Sequence, residues 1–124
     1  MLDIIFITMI FYVLQLVLPT LIAVARKEVD NAFLFGPRDT QPEVSQVVQR
    51  ARRNANNFLE SLLIFMPLAV LAAVNGAAAA EAATIWLGLR VAYTISYLMG
   101  LSYVRTLIWF ASLAALYMMG ATLV

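Results

Sequence analysis

The sequence feature that most constrains the fold is an apolar segment, residues 4–25, that contains no charged side chain. At about 1.5 Å of rise per residue, a helix over this segment crosses the ~30 Å hydrocarbon core of a bilayer. A lone segment in lipid must satisfy its own backbone hydrogen bonds, and a helix does so. Residues 4–25 therefore predict a membrane-spanning helix.

The rest of the chain repeats this apolar pattern. The hydrophobic fraction is 64%, against ~45–50% in soluble domains, and only 12% of residues are charged, too few to solvate a globular surface. We therefore expect an all-α fold, an integral-membrane four-helix bundle that occupies residues 1–124 as one domain. The predicted spans are approximately residues 4–25, 57–80, 82–101 and 104–124, and a polar cytoplasmic loop covers residues 26–50.

The second span is predicted to continue a helix that starts in this loop. Residues 40–43, with the sequence TQPE, resemble a helix start with proline at an early position. A helix from about Glu43 would project beyond the bilayer before it becomes the second span. Asn75 and Gly76 mark its end or a local break.

The chain contains no cysteine and no histidine. Disulfides, thiolate and imidazole metal sites, histidine bases and the usual catalytic triads are therefore excluded, and we expect no metal. The net charge of +1 gives no electrostatic reason to expect a nucleic-acid partner. Any sulfur chemistry must use a sulfur that arrives with a ligand.

Positive charge is concentrated between the first two apolar segments, which are separated by six of the eight lysines and arginines. These residues are Arg26, Lys27, Arg38, Arg50, Arg52 and Arg53. By the positive-inside rule, the loop lies on the cytoplasmic side, together with the turn between the third and fourth spans. The polar groups at these helix ends are therefore expected to gather at the cytoplasmic side.

Residues 50–60 carry polar side chains past the start of the second span. Arg53, Asn57 and Glu60 stand at i, i+4 and i+7, which places them on one helix face. An unpaired charge at this depth costs roughly 2.5–3.5 kcal/mol or more. A carboxylate kept there is therefore expected to have a partner.

On the third span, Arg90, Tyr93 and Tyr97 also share one face, at i, i+3 and i+7. We expect Arg90 to face inward and to pair with Glu60 or with a carboxylate of a ligand. An ion pair that only fixes helix packing is the alternative. Both roles are compatible, because a buried pair with spare donors also orients a ligand.

Simpler roles remain open for several polar side chains. Arg50, Arg52 and Arg105 suit anchoring to phosphate headgroups, and tyrosines near an interface suit the aromatic belt. Gln15, inside the first span, suits either a helix–helix hydrogen bond or a ligand contact. Arg53 departs from the anchoring role because its helix face continues inward with polar residues.

Together these groups suit a small anionic ligand that has carboxylates and an ammonium group. Arginines would hold the carboxylates bidentately, Asn57 would meet amides, and Glu60 would take the ammonium. A positive Arg105 nearby would lower the pKa of a bound thiol, because a cation favours the thiolate.

In combination, these motifs resemble the MAPEG family, the membrane-associated proteins in eicosanoid and glutathione metabolism, and especially its bacterial members. The resemblance covers nearly the whole chain. It rests on GPRD at residues 36–39, RARRNANNFLE at 50–60, RVAYTISY at 90–97, and Arg105 with Thr106. The pattern Arg-x3-Asn-x2-Glu followed by Arg-x2-Tyr-x3-Tyr is specific for the family in combination, and either half alone is a weak signal.

The resemblance implies four transmembrane helices and a homotrimer, with glutathione bound in clefts between neighbouring subunits near the cytoplasmic side. Family members conjugate glutathione to lipophilic electrophiles, reduce lipid hydroperoxides or isomerise eicosanoids. Arg105 corresponds to the arginine that stabilises the thiolate. The glutathione-binding residues that the resemblance implies are Arg26, Arg53, Asn56, Asn57, Glu60, Arg90, Tyr93 and Tyr97.

Some positions depart from relatives. Asn56 stands where some members place another arginine, and Tyr93 stands where some have histidine. Thr106 and Trp109 replace the serine and tyrosine of the prostaglandin-forming branch, so the resemblance does not favour eicosanoid synthesis. Arg90 matches a position that pairs with the glutamate of the second helix in some members.

We therefore expect a glutathione-dependent transferase or peroxidase of the bacterial inner membrane, with its site toward the cytoplasm and a role in detoxification. Its expected partners are glutathione, a lipophilic substrate from the bilayer, membrane lipids and further copies of itself. The alternatives are a non-catalytic membrane protein that binds a small molecule or lipid, and a small multidrug exporter. Exporters of this size commonly carry a carboxylate in the middle of the first helix, where this chain has no acid beyond Asp3.

Overall fold

The computed structural model describes residues 1–37 and 43–124, and all regular structure within these ranges is helical. Four long helices follow one another, with one short helix between the first two. They are α1 (Leu2–Ala25), α2 (Asn31–Phe35), α3 (Gln46–Asn75), α4 (Ala80–Leu98) and α5 (Ser102–Ala121). The all-α prediction is confirmed for the described residues, while the transmembrane four-helix bundle and the homotrimer stay predictions.

Three of the long helices, α1, α3 and α5, are long and apolar enough to cross a membrane, by length and composition. The remaining long helix, α4, is not among them, and it carries Glu81 and Arg90. Its crossing of the membrane stays a prediction. Large apolar side chains such as Phe6, Leu107 and Phe110 are exposed on α1 and α5, as is expected where lipid replaces water around a helix.

A glycine sets the C-terminal end of α3. Gly76 follows Asn75 with a φ of 65°, a left-handed conformation that glycine adopts with little strain, and the helix ends there. The end that Asn75 and Gly76 predicted is confirmed. The second span, placed at residues 57–80, is therefore too long at its C-terminal end, because Ala80 already belongs to α4.

The N-terminal end of α3 is tied to the segment that follows α1. The backbone N–H and the hydroxyl of Ser45 both donate to the Glu28 carboxylate, at 2.9 and 3.2 Å. The helix begins at Gln46, slightly after the start predicted near Glu43. The expected helix-start motif and the GPRD turn extend into residues 38–42, which lie outside the described residues.

An aromatic stack forms the centre of the helix packing. Phe65 of α3 stacks on Trp86 of α4, with ring centroids 4.0 Å apart and planes within 8° of parallel. Phe58 lies 5.7 Å from Trp86, and Phe11 of α1 meets Phe58 edge-on at 5.4 Å. Phe58, Phe65 and Trp86 are fully buried. Aromatic packing therefore joins α1, α3 and α4 in one core.

Side-chain hydrogen bonds join four residue pairs of α3 and α4, and the positions of the pairs run in opposite directions along the two helices. They join Arg53 to Tyr97 (3.2 Å), Asn54 to Thr94 (3.2 Å), Asn57 to Arg90 (2.8 Å) and Ser61 to Trp86 (3.3 Å). We call this set the α3–α4 ladder. It defines an antiparallel register between the two helices.

Gln15 of α1 joins the ladder at one of these pairs. Its Nε2 donates to Thr94 Oγ1 at 3.0 Å, and its Oε1 accepts a hydrogen bond from Asn54 Nδ2 at 3.0 Å. The helix–helix hydrogen bond that was one interpretation of Gln15 is confirmed.

Candidate functional site

Tyr97, near the C-terminal end of α4, contacts two guanidinium groups. Arg53 of α3 donates from Nε to Tyr97 Oη at 3.2 Å, and its Cζ is 5.9 Å from the ring centroid. The Cζ of Arg105, in the first turn of α5, lies 4.6 Å from the same centroid. Because the face of an aromatic ring attracts cations, Tyr97 stabilises two like charges close together.

A third arginine lies deeper on α4. Arg90 is 1% exposed, and its Cζ is 4.3 Å from the Tyr93 ring centroid and 5.5 Å from that of Phe58. Its Nη2 donates to Asn57 Oδ1 at 2.8 Å, while Nε and Nη1 have no hydrogen-bond partner among the described residues. Tyr93 meets Tyr97 edge-on at 5.7 Å. Tyr93 and Tyr97 thus connect the buried Arg90 to the two arginines that contact Tyr97.

A cavity of about 210 Å³ opens beside these residues, between α3, α4 and α5. It is lined by Asn57, Tyr93, Tyr97, Arg105, Thr106 and Trp109. We call it the arginine cavity. Sequence reasoning did not assign Trp109 to the site. Trp109 stands four residues after Arg105, and this helical spacing is the signal that would have placed both on one face.

The surroundings of the arginine cavity are positively charged. None of Arg53, Arg90 and Arg105 forms an ion pair with a carboxylate of the described residues. The ion pairs in these residues join the Met1 amino group to Asp3 and Arg26 to Glu28. Arg105 lines the cavity, and Arg53 and Arg90 contact residues of its lining. Three cations this close to one cavity create a positive potential that favours an anion. Arginines at such a place can hold a carboxylate bidentately or stabilise a thiolate.

The predicted pair between Arg90 and Glu60 is wrong for the described chain. Arg90 donates to Asn57 instead, and Glu60 is exposed. Asn57 and Glu60 are three residues apart, so their side chains leave α3 in directions that differ by about 60°. This rotation carries Glu60 away from the α3–α4 contact in which Arg90 is buried. A ligand carboxylate as the partner of Arg90 stays a prediction.

Two further predicted residues lie away from the arginine cavity. Asn56 is turned by about 100° from Asn57 around α3, and it lines a second cavity, of about 450 Å³, between α1, α2 and α3. Arg26 is exposed beyond the end of α1 and lies 3.7 Å from the Glu28 carboxylate. The structure brings together Arg53, Asn57, Arg90, Tyr93, Tyr97 and Arg105, and it leaves Arg26, Asn56 and Glu60 outside this group.

Comparison with known proteins identifies the family of the chain. The model of the MAPEG family matches residues 4–124, which include both halves of the site motif. No curated protein and no solved structure matches the chain. The protein therefore belongs to the MAPEG family, and it is an integral membrane protein of the kind that acts in glutathione and eicosanoid metabolism.

Proposed function

We propose that this protein is a membrane-bound glutathione-dependent transferase or peroxidase that activates the glutathione thiolate against lipophilic electrophiles or lipid hydroperoxides. The observation that carries the proposal is one small cavity that Arg105 lines and whose lining residues contact Arg53 and Arg90. None of these arginines has a carboxylate partner among the described residues. Glutathione has two carboxylates and one thiol, so its negative charges complement these cations.

Each arginine has a distinct role in this proposal. Arg53, exposed beside Tyr97, holds a carboxylate of glutathione, and Asn57 lines the cavity with Arg90 buried behind it. Arg105 faces the sulfur and lowers the pKa of the bound thiol, because its charge favours the thiolate. The chain has no cysteine and no histidine, so the nucleophile is the sulfur of the substrate.

The proposed chemistry has two forms. In transfer, the glutathione thiol loses its proton, the thiolate forms a carbon–sulfur bond with the electrophile, and the leaving group departs with its electron pair. In peroxide reduction, the thiolate attacks the terminal oxygen and the oxygen–oxygen bond breaks. This gives an alcohol after protonation and the sulfenic acid of glutathione, which a second glutathione converts to the disulfide and water.

We propose further that the protein is a homotrimer with glutathione in clefts between neighbouring subunits. The two faces of α3 support this arrangement, because Asn57 lines the arginine cavity whereas Asn56 lines the second cavity. In the trimer, one copy would present the first of these cavities to a ligand and its neighbour would present the second. The basic loop supports a site that opens to the cytoplasm of a bacterial inner membrane.

The first test is glutathione binding to the purified protein in nanodiscs, measured by calorimetry, with the ultraviolet absorbance of the thiolate followed against pH. We expect binding, with a thiol pKa below that of free glutathione. Arg105→Ala should return the thiol pKa towards its free value and lower kcat by about 10²–10³. Lys27→Ala removes an exposed cation at the end of α1 and is expected to change neither quantity.

Other outcomes separate the alternatives. An unchanged thiol pKa and unchanged turnover in Arg105→Ala would remove the assigned role of Arg105. Binding without turnover of any electrophile or hydroperoxide would favour a non-catalytic binding protein. Absence of binding at millimolar glutathione would contradict the proposed substrate and would favour either another thiol or a small multidrug exporter.

A further inference from the structure

A buried cluster of Gln15, Asn54 and Thr94 joins three helices away from both cavities. Asn54 Nδ2 donates to Gln15 Oε1 at 3.0 Å and to Thr94 Oγ1 at 3.2 Å, and Gln15 Nε2 donates to Thr94 Oγ1 at 3.0 Å. The Thr94 hydroxyl also lies 3.0 Å from the Arg90 carbonyl oxygen, to which it donates. All three side chains are buried, and none of them lines either cavity.

This Gln15 cluster lies between the two contacts that bring the site residues of α3 and α4 together. On α3, Asn54 stands between Arg53 and Asn57 in sequence. On α4, Thr94 stands between Tyr97, the partner of Arg53, and Arg90, the partner of Asn57. A change in the relative position of α3 and α4 at the cluster would therefore be transmitted to both contacts.

Hydrophobic packing alone selects this register weakly in a membrane. Lipid tails are as apolar as leucine side chains, so helices in lipid gain little from burying apolar surface against each other. A slip of one residue would move side chains by about 1.5 Å along α3 and about 100° around it. Buried hydrogen bonds are directional, and their loss leaves polar groups unsatisfied, so they favour one register over its neighbours.

We propose that Gln15, Asn54 and Thr94 are positioning residues for glutathione binding, which hold Arg53 and Asn57 of α3 at their places beside α4. The inference rests on the proposed function. No residue of α1 lines the arginine cavity. Through Gln15, the inference gives α1 an indirect role in the site.

The proposal predicts which kinetic parameter depends on the cluster. Arg105 contacts Tyr97 from α5, and the cluster contains no residue of α5. Loss of the cluster should therefore displace the α3 residues that hold glutathione and leave the arginine that activates the sulfur in place. Glutathione affinity should fall, while turnover at saturation stays.

The test uses three threonine-to-valine variants of the full-length protein in nanodiscs. Thr94→Val removes the hydroxyl of the cluster at nearly constant volume. Thr84→Val is the control on the same helix, since the exposed Thr84 hydroxyl donates to the Ala80 carbonyl at 2.8 Å. Thr8→Val is the buried control, because the Thr8 hydroxyl donates to the Ile4 carbonyl at 2.7 Å within α1.

We expect Thr94→Val and Gln15→Leu to raise both Kd and KM for glutathione by about tenfold to a hundredfold, as displaced binding groups do. The kcat at saturating glutathione and the pKa of the bound thiol should stay within about twofold and a few tenths of a unit of the parent values. Thr94→Ser keeps the hydroxyl and should restore KM. Thr84→Val and Thr8→Val should leave KM unchanged.

Two results would overturn this inference while the proposed function stands. One is an unchanged Kd and KM in Thr94→Val and Gln15→Leu, when the parent protein binds glutathione. The other is a lower kcat at constant KM, which reports a smaller folded fraction and no displaced binding group. A parent protein that does not bind glutathione at all would overturn the proposed function, and this inference with it.

Discussion

A buried guanidinium makes the stability of the fold depend on one asparagine. Arg90 is 1% exposed, with Asn57 Oδ1 at 2.8 Å from Nη2 and the rings of Tyr93 and Phe58 around its Cζ. A desolvated charge loses far more when its acceptor is removed than a solvated one does, because water cannot replace the lost hydrogen bond. The effect of Asn57 on stability should therefore exceed that of an ordinary half-buried asparagine.

Two adjacent asparagines provide a matched comparison at the scale of single residues. Asn57→Ala should lower the free energy of unfolding by about 1–3 kcal/mol, since the Arg90 guanidinium loses its acceptor. Asn56→Ala, on the exposed neighbouring face of α3, should change it by less than about 0.5 kcal/mol. Thermal unfolding of both variants in the same detergent measures the difference. Equal losses would show that Arg90 does not depend on Asn57.

At the scale of elements, the turn between α4 and α5 positions the start of the helix that carries Arg105. Gly100 has a φ of 75°, and the N–H of Leu101 donates to the Ser96 carbonyl at 3.0 Å. The Cζ of Arg50 lies 3.1 Å from the place that a Cβ on Gly100 would take. Arg50, for which headgroup anchoring was one interpretation, thus packs against this turn, and the left-handed backbone at Gly100 favours glycine there.

Substitution of two glycines tests this account of the turn. Gly100→Ala should cost about 1–2 kcal/mol from its left-handed backbone, while the flexible Arg50 side chain can shift away from the added methyl group. Gly88→Ala in the middle of α4 meets no atom within 4 Å and should stabilise the helix by about 0.5–1 kcal/mol. Unfolding of each variant in detergent gives the sign. A Gly100→Ala protein as stable as Gly88→Ala would rule out this role of the turn.

At the scale of the whole molecule, the predicted site residues divide between two surfaces. Asn57 and Arg105 line the arginine cavity, and Arg53 contacts Tyr97 in its wall. Asn56 lines the second cavity, and Arg26 is exposed beyond the end of α1. In the proposed homotrimer, the first surface of one subunit faces the second surface of its neighbour. A ring of three copies would then contain three equivalent sites.

Mixed trimers test this arrangement. Arg105→Ala and the double variant Arg26→Ala/Asn56→Ala should each have low activity as homotrimers. Random co-assembly of the two chains should restore about a quarter of the sites, because a functional site then needs one intact surface from each of two neighbouring chains. Activity of the co-expressed protein in nanodiscs, against mixtures of separately purified homotrimers as the control, measures the recovery. No recovery would place both surfaces of the site on one chain.

Local patterns were enough to predict much of the site. The spacing of Arg53 and Asn57 predicted one face of α3, and that of Arg90, Tyr93 and Tyr97 predicted one face of α4; the structure places these residues together. Trp109 was missed because an apolar aromatic residue in a membrane helix resembles any lipid-facing residue. The sequence left two roles open for Gln15, a helix–helix hydrogen bond or a ligand contact, because its partners lie on two other helices.

By itself, the sequence determined that the chain is helical and suited to a membrane, because apolar length and helical spacing are local properties. It also determined the end of α3, since Gly76 adopts its left-handed backbone with little strain. Only the tertiary structure decided that Arg90 bonds to Asn57 and leaves Glu60 exposed. That choice depends on the rotation and register of α3 against α4, which are set by contacts such as Phe65–Trp86 and Gln15–Thr94 between residues far apart in the chain.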